Sequence, residues 1–188
     1  MPMMNISEAR VKLFDILKTQ AFFKERIILS SGKESDHYFD ARRVTLSAAG
    51  AYLTATVLLE MIKNDPIEAI GGPTLGADPM VGAVASLSYL MQRPIKTFII
   101  RKAPKAHGKQ QQLEGPILSD GASVVLIDDV ATTGKAFLES LDVTDRMGIK
   151  VVKCISIINR QEGADEALAK RGCKLESIFT SKEFLQAK

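Results

Sequence analysis

Residues 123–137, Ser-Val-Val-Leu-Ile-Asp-Asp-Val-Ala-Thr-Thr-Gly-Lys-Ala-Phe, place two adjacent carboxylates after an apolar run and follow them with two hydroxyls and a glycine. The apolar run reads as a buried strand over residues 124–127, so Asp128 and Asp129 stand at its end despite their mutual repulsion. The Thr132-Thr133-Gly134 tip opens a helix at Lys135, Ala136 and Phe137. Backbone N–H groups and hydroxyls there can cradle a phosphate, and the helix dipole favours that anion. A nucleoside-triphosphate P-loop fails twice, because Asp129 stands where the first glycine is needed and Ala136 where Ser or Thr is needed. No G-x-G-x-x-G occurs. The two acids offer acceptors for vicinal hydroxyls, as on a ribose, beside the phosphate cradle. A sugar phosphate satisfies both halves of the stretch. The bland alternative is a strand that ends on solvated acids before an ordinary helix cap.

Three other places carry chemistry. Arg101, Lys102, Lys105 and His107 form a local basic cluster that suits an anionic ligand, or a solvated surface loop. Gly108, three consecutive glutamines and Gly115 follow it and suggest a mobile lid that excludes water. The turn Pro73-Thr74-Leu75-Gly76 has small residues that let backbone N–H groups approach a phosphate, or is a plain glycine-rich turn. Arg160 leaves a buried strand end and can fork onto a carboxylate or ring carbonyl, although a lone arginine more often makes a surface ion pair.

These residues need a frame, and the apolar periodicity supplies one. An N-terminal helix carries Val11, Phe14, Ile16 and Leu17, with Ser7 as its cap and Arg10 in the capping-box slot. Two short strands, 26–29 and 37–40, flank a turn at residues 30–33. Ser47 caps a long helix to about Ile62, and the run Ile-Glu-Ala-Ile-Gly-Gly reads as a strand stopping on glycines. A helix over 78–91, a strand over 95–100, the 124–127 strand, a helix over 135–147 and a strand over 151–158 complete the alternation. Continuous apolar strands separated by amphipathic helices predict a doubly wound α/β fold, a mainly parallel sheet flanked by helices, with a small N-terminal addition. The chain reads as one domain over 1–188, split at about residue 45 between the addition and the core. Ligands in such a sheet bind beyond the carboxyl ends of the strands, where the segments after residues 70, 100, 127 and 158 can converge.

Composition sets the outer limits. The 188 residues are 46% hydrophobic and 25% charged, ordinary for a globular protein, and the net charge of +3 is too mild to imply nucleic acid. No apolar stretch reaches the roughly 18 residues of a membrane span. The N-terminus has no basic-then-apolar signal pattern, and the cysteines, Cys154 and Cys173, lack metal-ligand spacing, so a reduced cytoplasmic setting is expected.

The 124–136 stretch resembles the signature of the type I phosphoribosyltransferases for phosphoribosyl pyrophosphate. Three further segments resemble the orotate phosphoribosyltransferases: residues 29–46, similar to the family's N-terminal hood; 101–115, similar to its catalytic loop; and Asn-Arg-Gln-Glu-Gly at 159–163, similar to the segment whose arginine contacts the pyrimidine. The resemblance runs over residues 27–163. It implies transfer of the phosphoribosyl group to orotate, giving orotidine 5'-phosphate and diphosphate in pyrimidine synthesis. Lys105, His107, Asp128 and Asp129 are then catalytic. Phosphoribosyl pyrophosphate falls to Arg101, Lys102, Lys105, His107, Thr74, Leu75, Gly76 and the run Asp128, Asp129, Val130, Ala131, Thr132, Thr133, Gly134, Lys135, Ala136. Orotate falls to Thr132, Arg160, Tyr38 and Phe39. Mg²⁺ is implied as cofactor, held mainly by the substrate's phosphates rather than by direct protein ligands. A homodimer with shared sites is implied, and an orotidine-phosphate decarboxylase is a candidate partner; neither nucleic acid nor membrane is. The sequence departs from the usual pattern at Ala136, at Lys135 and at Ser30, leaving one phosphate contact missing or supplied by Arg42 or Arg43. A transferase for another base, or a non-catalytic sensor of phosphoribosyl pyrophosphate on the same fold, are the competing readings.

Overall fold

The computed structural model describes residues 4–28, 34–103 and 112–187. Helix α1 (Ile6–Gln20) is capped two residues before the expected Ser7, because Asn5 Oδ1 accepts the Ser7 N–H at 2.9 Å and serves as the cap instead. The short strands that follow pair differently from expectation. β1 (Phe22–Phe23) pairs antiparallel with β4 (Tyr38–Phe39), while β2 (Ile27–Ile28) pairs with β3 (Glu34–Ser35). Strands are thus found within 26–28 and 37–40, at Ile27–Ile28 and Tyr38–Phe39, but they are not each other's partners; residues 29–33, the expected strand end and turn, lie outside the described residues. Phe22 stacks on Phe39 with ring centroids 4.9 Å apart, which seals this antiparallel addition onto the core.

A short helix α2 (Arg42–Thr45) leads to α3 (Ala48–Met61), whose Ser47 cap accepts the Gly50 N–H as its sequence predicts. Then come β5 (Ala69–Pro73), α4 (Asp78–Leu90), β6 (Lys96–Ile100), β7 (Leu113–Glu114), β8 (Ser123–Ala131), α5 (Lys135–Arg146), β9 (Lys150–Asn159), α6 (Ala164–Ala169), β10 (Leu175–Thr180) and α7 (Ser181–Gln186). One six-stranded sheet runs in the order β10-β9-β8-β5-β6-β7, parallel except for β7. Alternate residues of β8 feed different cores. Val125 and Ile127 pack with Leu13, Leu58, Met80 and Phe184 on one face; Val124 and Leu126 pack with Phe137, Leu141 and Leu168 on the other. Apolar cover on both faces is why these strands read as unbroken apolar runs.

The strand carrying the acid pair does not stop at Ile127. β9 continues alongside it, pairing Asp128 with Ser156 and Ala131 with Asn159, so both acids lie within the strand. At the opposite end of the sheet, Lys153 donates to the Met61 carbonyl at 3.0 Å and meets Asp65 and Glu176 at 2.8 and 3.0 Å. Burial alone would lower the Lys153 pKa, but these carboxylates outweigh it and raise it. We expect Lys153→Met to cost about 1–3 kcal/mol in urea denaturation, since partly wet Asp65 loses its cation and Glu176 is left with Lys174 alone. Turnover should stay at the parent rate, because this end of the sheet is remote from the cleft described next.

Candidate functional site

At the carboxyl edge of the sheet, a cleft of about 730 Å³ is lined by Thr74, Arg101, Lys102, Gln112, Asp128 and the turn from β8 into α5. Gly134 makes that turn with φ 79°, a left-handed conformation that favours glycine, and it caps α5 without a side-chain partner. The first N–H groups of α5 therefore open toward the cleft beside Thr132 and Thr133.

The acids are held from behind. Asp128 Oδ1 accepts the Asp129 N–H at 2.9 Å, and Asp129 Oδ1 accepts the Val130 N–H at 2.8 Å. Burial is the main force raising both pKa values; the Asp129 charge adds to it at Asp128, while the Val130 N–H and the Arg42 charge oppose it at Asp129. The loop after β5 closes on this pair so tightly that a Cβ on Gly76 would overlap Asp128 Oδ1 and sit 2.8 Å from Asp129 Oδ1. That loop contains a cis peptide between Thr74 and Leu75, and Thr74 donates its hydroxyl to Asp78 Oδ2 at 2.7 Å.

Across the cleft, the main chain of Arg101 is held twice by Gln112: its N–H donates to the Gln112 carbonyl at 2.8 Å, and its carbonyl accepts from the side-chain Nε2 of Gln112 at 3.2 Å. Arg146 on α5 donates to Gln112 Oε1 at 2.9 Å, tying this edge to the cradle helix. Arg160 takes a different place. Its N–H donates to the Ala131 carbonyl, beside the threonine turn, but its side chain is only 2% exposed and lies under the N-terminal strands.

The phosphoribosyl transferase domain family matches residues 48–187. Orotate phosphoribosyltransferase from Rhodopseudomonas palustris (strain TIE-1) is 36% identical over 187 residues, covering 97% of this chain and 99% of that one. The chain belongs to the orotate phosphoribosyltransferase family. The same enzyme from Nostoc sp. is 39% identical over 182 residues, covering 97% of this chain and 88% of the relative. The crystal structure of Mycobacterium tuberculosis orotate phosphoribosyltransferase in complex with 5-phospho-alpha-D-ribosyl 1-diphosphate superposes with TM-score 0.77 at 28% identity, covering 94% of this chain and 98% of that one.

Seen against this family, three of the four converging segments line one cleft, and the fourth does not. Arg101, Lys102, Thr74, Asp128 and the stretch from Val130 to Ala136 border it. Leu75 is exposed beside it, and Gly76 backs the acids. Arg160 is instead sheltered, with Phe39 6.0 Å below its guanidinium. Phe39 is a buried core ring; Tyr38 is half-buried against Phe23. Lys105, His107 and Ser30 lie outside the described residues. Arg42 Nε lies 3.5 Å from Asp40 Oδ1, and its charge reaches Asp129; Arg43 is turned over the Phe23 ring. Of the two substitutes considered for Ser30, Arg42 is the one beside the acids. Sequence reasoning missed Asp78 and Glu162, although both stood within or beside the stretches it singled out; Gln112 it read as part of a lid, and its bonds to Arg101 and Arg146 were not foreseen.

Proposed function

We propose that this chain transfers the phosphoribosyl group of phosphoribosyl pyrophosphate to a ring nitrogen of orotate, releasing diphosphate. The observation that carries this reading is the acid pair inside β8 followed by a three-residue turn into an uncapped helix N-terminus, with Asp128 and that turn lining one cleft. Asp128 and Asp129 accept the vicinal ribose hydroxyls, while Thr132, Thr133 and the α5 N–H groups hold the 5'-phosphate. The 74–76 turn, Arg101 and Lys102 hold the diphosphate, with Lys105 and His107 adding charge as it leaves. Orotate is read by Arg160, Thr132 and the main chain of Tyr38 and Phe39.

Among the described residues no group of three or more His, Cys, Asp or Glu is placed to hold a metal. A pair of hard carboxylate oxygens beside a phosphate cradle nevertheless fits Mg²⁺, which binds through few protein oxygens and keeps its waters. Asp128 and Asp129 are the residues that would face it, and it would neutralise charge building on the diphosphate.

We further propose a homodimer with shared sites, in which large exposed side chains at the end of α4, Tyr89 and Leu90, are covered. A cytoplasmic setting agrees with the free thiols of Cys154 and Cys173, and association with a decarboxylase stays a proposal. Loss of orotate absorbance with phosphoribosyl pyrophosphate and Mg²⁺ tests the activity. Turnover of adenine or uracil in place of orotate would overturn the assignment of the base.

A further inference from the structure

Two thiols lie together outside the cleft, and the proposed transfer does not use them. Cys154 on β9 and Cys173, in the turn between α6 and β10, bring their Sγ atoms to 3.5 Å, and both are free. Cys154 is fixed by the sheet. It pairs with Leu126 of β8 and Leu175 of β10, and its N–H donates to the Lys174 carbonyl at 2.8 Å. Its side chain belongs to the apolar cluster of Leu126, Phe137 and Leu168. Cys173 is set from the other side: Gly172 turns the chain at φ 69°, and the Cys173 N–H donates to the Leu168 carbonyl at 3.0 Å. Gly172 and Lys174 on either side of it are exposed, so buried Cys173 lies just beneath the surface. Neither cysteine is among the residues lining the cleft.

We propose that Cys154 and Cys173 are a peroxide-responsive pair that closes reversibly into an intrachain disulfide. The hydrogen bond to Cys173, with burial, keeps the Cys154 thiol protonated; the same bond favours the Cys173 thiolate and lowers its pKa. Cys173 is therefore the nucleophile. Its sulfur attacks one oxygen of hydrogen peroxide and the O–O bond breaks, leaving Cys173 as a sulfenic acid. The departing hydroxide takes up the proton that Cys173 gave and leaves as water. The Cys154 sulfur then attacks the Cys173 sulfur and breaks its S–O bond, and the Cys154 proton leaves with that oxygen as a second water. Two thiols lose two electrons, and peroxide gains them. The sulfurs must close to about 2.0 Å. The turn carrying Cys173 supplies that movement, since β10 begins only at Leu175. An external dithiol reopens the bond by exchange. The cysteines stand 19 residues apart, and the loop they close contains Ala164, whose Cα would lie 3.3 Å from a Cβ on Gly134. The bond thus braces the segment that backs the turn from β8 into α5.

The test treats the full chain with a small excess of hydrogen peroxide, then counts thiols in denaturant, maps peptides without reductant and records thermal melts. Titratable thiols should fall from two to none, and the map should show Cys154 joined to Cys173 within one chain. The melting temperature should rise by about 5–10 °C, the effect of closing a loop of this length. Dithiothreitol should restore both thiols and the original melt. Cys154→Ala should stop at a sulfenic acid on Cys173, which a carbon nucleophile traps, with no rise in melting temperature. Cys173→Ala should leave Cys154 unreacted. If a variant does not fold, the peptide map and melt of the parent decide the matter. Both thiols surviving in the folded protein, oxidation ending as a sulfinic acid on Cys173, a link between chains, or a melting temperature that falls on oxidation overturns the proposal.

Discussion

Replacing Asp128 and Asp129 together by asparagine should abolish most turnover, by about 10²-fold or more, while raising the melting temperature of the ligand-free protein. The two effects have one cause. Inside β8 the acids are desolvated and adjacent, and their ionised forms are disfavoured in the folded chain. A carboxyl whose folded pKa lies above its unfolded value of about 3.9 stabilises the fold only while protonated. That contribution is complete below the unfolded value and is lost as pH rises through each folded value. Asparagine keeps the oxygen that accepts the Asp129 and Val130 N–H groups and cannot ionise. The double variant should therefore gain on the order of 1 kcal/mol or more over the parent at pH 7–8, and the gap should close toward pH 4. Melts across that range check the sign.

Ligand supplies the second arm. Phosphoribosyl pyrophosphate with Mg²⁺ should raise the parent's melting temperature, because hydroxyl donors and cation relieve the repulsion, and should leave the double variant's nearly unmoved. A variant that melts lower than the parent, yet is still stabilised by the ligand, would make the pair structural.

The hydrophobic pattern made the sheet legible because both of its faces are covered: β5, β6, β8 and β9 are continuous apolar runs, and the helices between them are amphipathic. The acid-pair turn was legible for a different reason, its chemistry being written in consecutive residues. What escaped was whatever depends on a distant partner. The end of β8 could not be read from its own residues, since Asp128 and Asp129 stay in the strand only through β9 beside them. The N-terminal pairing was misjudged because strands of two residues carry no period, and the ring stacks of Phe22 on Phe39 and Phe23 on Tyr38 mark which joins which. No element was read beyond residue 163: α6 and α7 have six residues each, too short for a helical period to register. The edge strand β10 interrupts its apolar pattern with Glu176 and Ser177. Arg160 stood out in the sequence as a strand-end arginine, but its burial beneath Ser35 and His37 spans more than a hundred residues of chain and left no local trace.

Gly76→Ala is the sharpest probe of how the two loops fit. The residue is not needed for its backbone angles, since its φ is not in the left-handed range; it is needed for space. A methyl group there would overlap Asp128 Oδ1 and lie 3.2 Å from Asp128 Cγ. The carboxylate cannot step aside freely, because it is buried and its Oδ1 holds the Asp129 N–H at 2.9 Å. Either the acid gives up that bond or the 74–76 turn lifts away from the strand. Both outcomes separate the ribose contacts from the diphosphate contacts, so turnover should fall at least tenfold, and stability should fall by about 1–3 kcal/mol. Asp128→Ala removes the atoms that overlap, leaving Asp129 Oδ1 at 2.8 Å. In that background Gly76→Ala should cost much less, giving a coupling of about 1–3 kcal/mol between the two positions by denaturant unfolding. Costs that instead add to within about 0.5 kcal/mol would mean that the turn and the acid pair do not press on each other. The cleft would then owe its shape to the α4 end of the turn, where Asp78 holds Thr74.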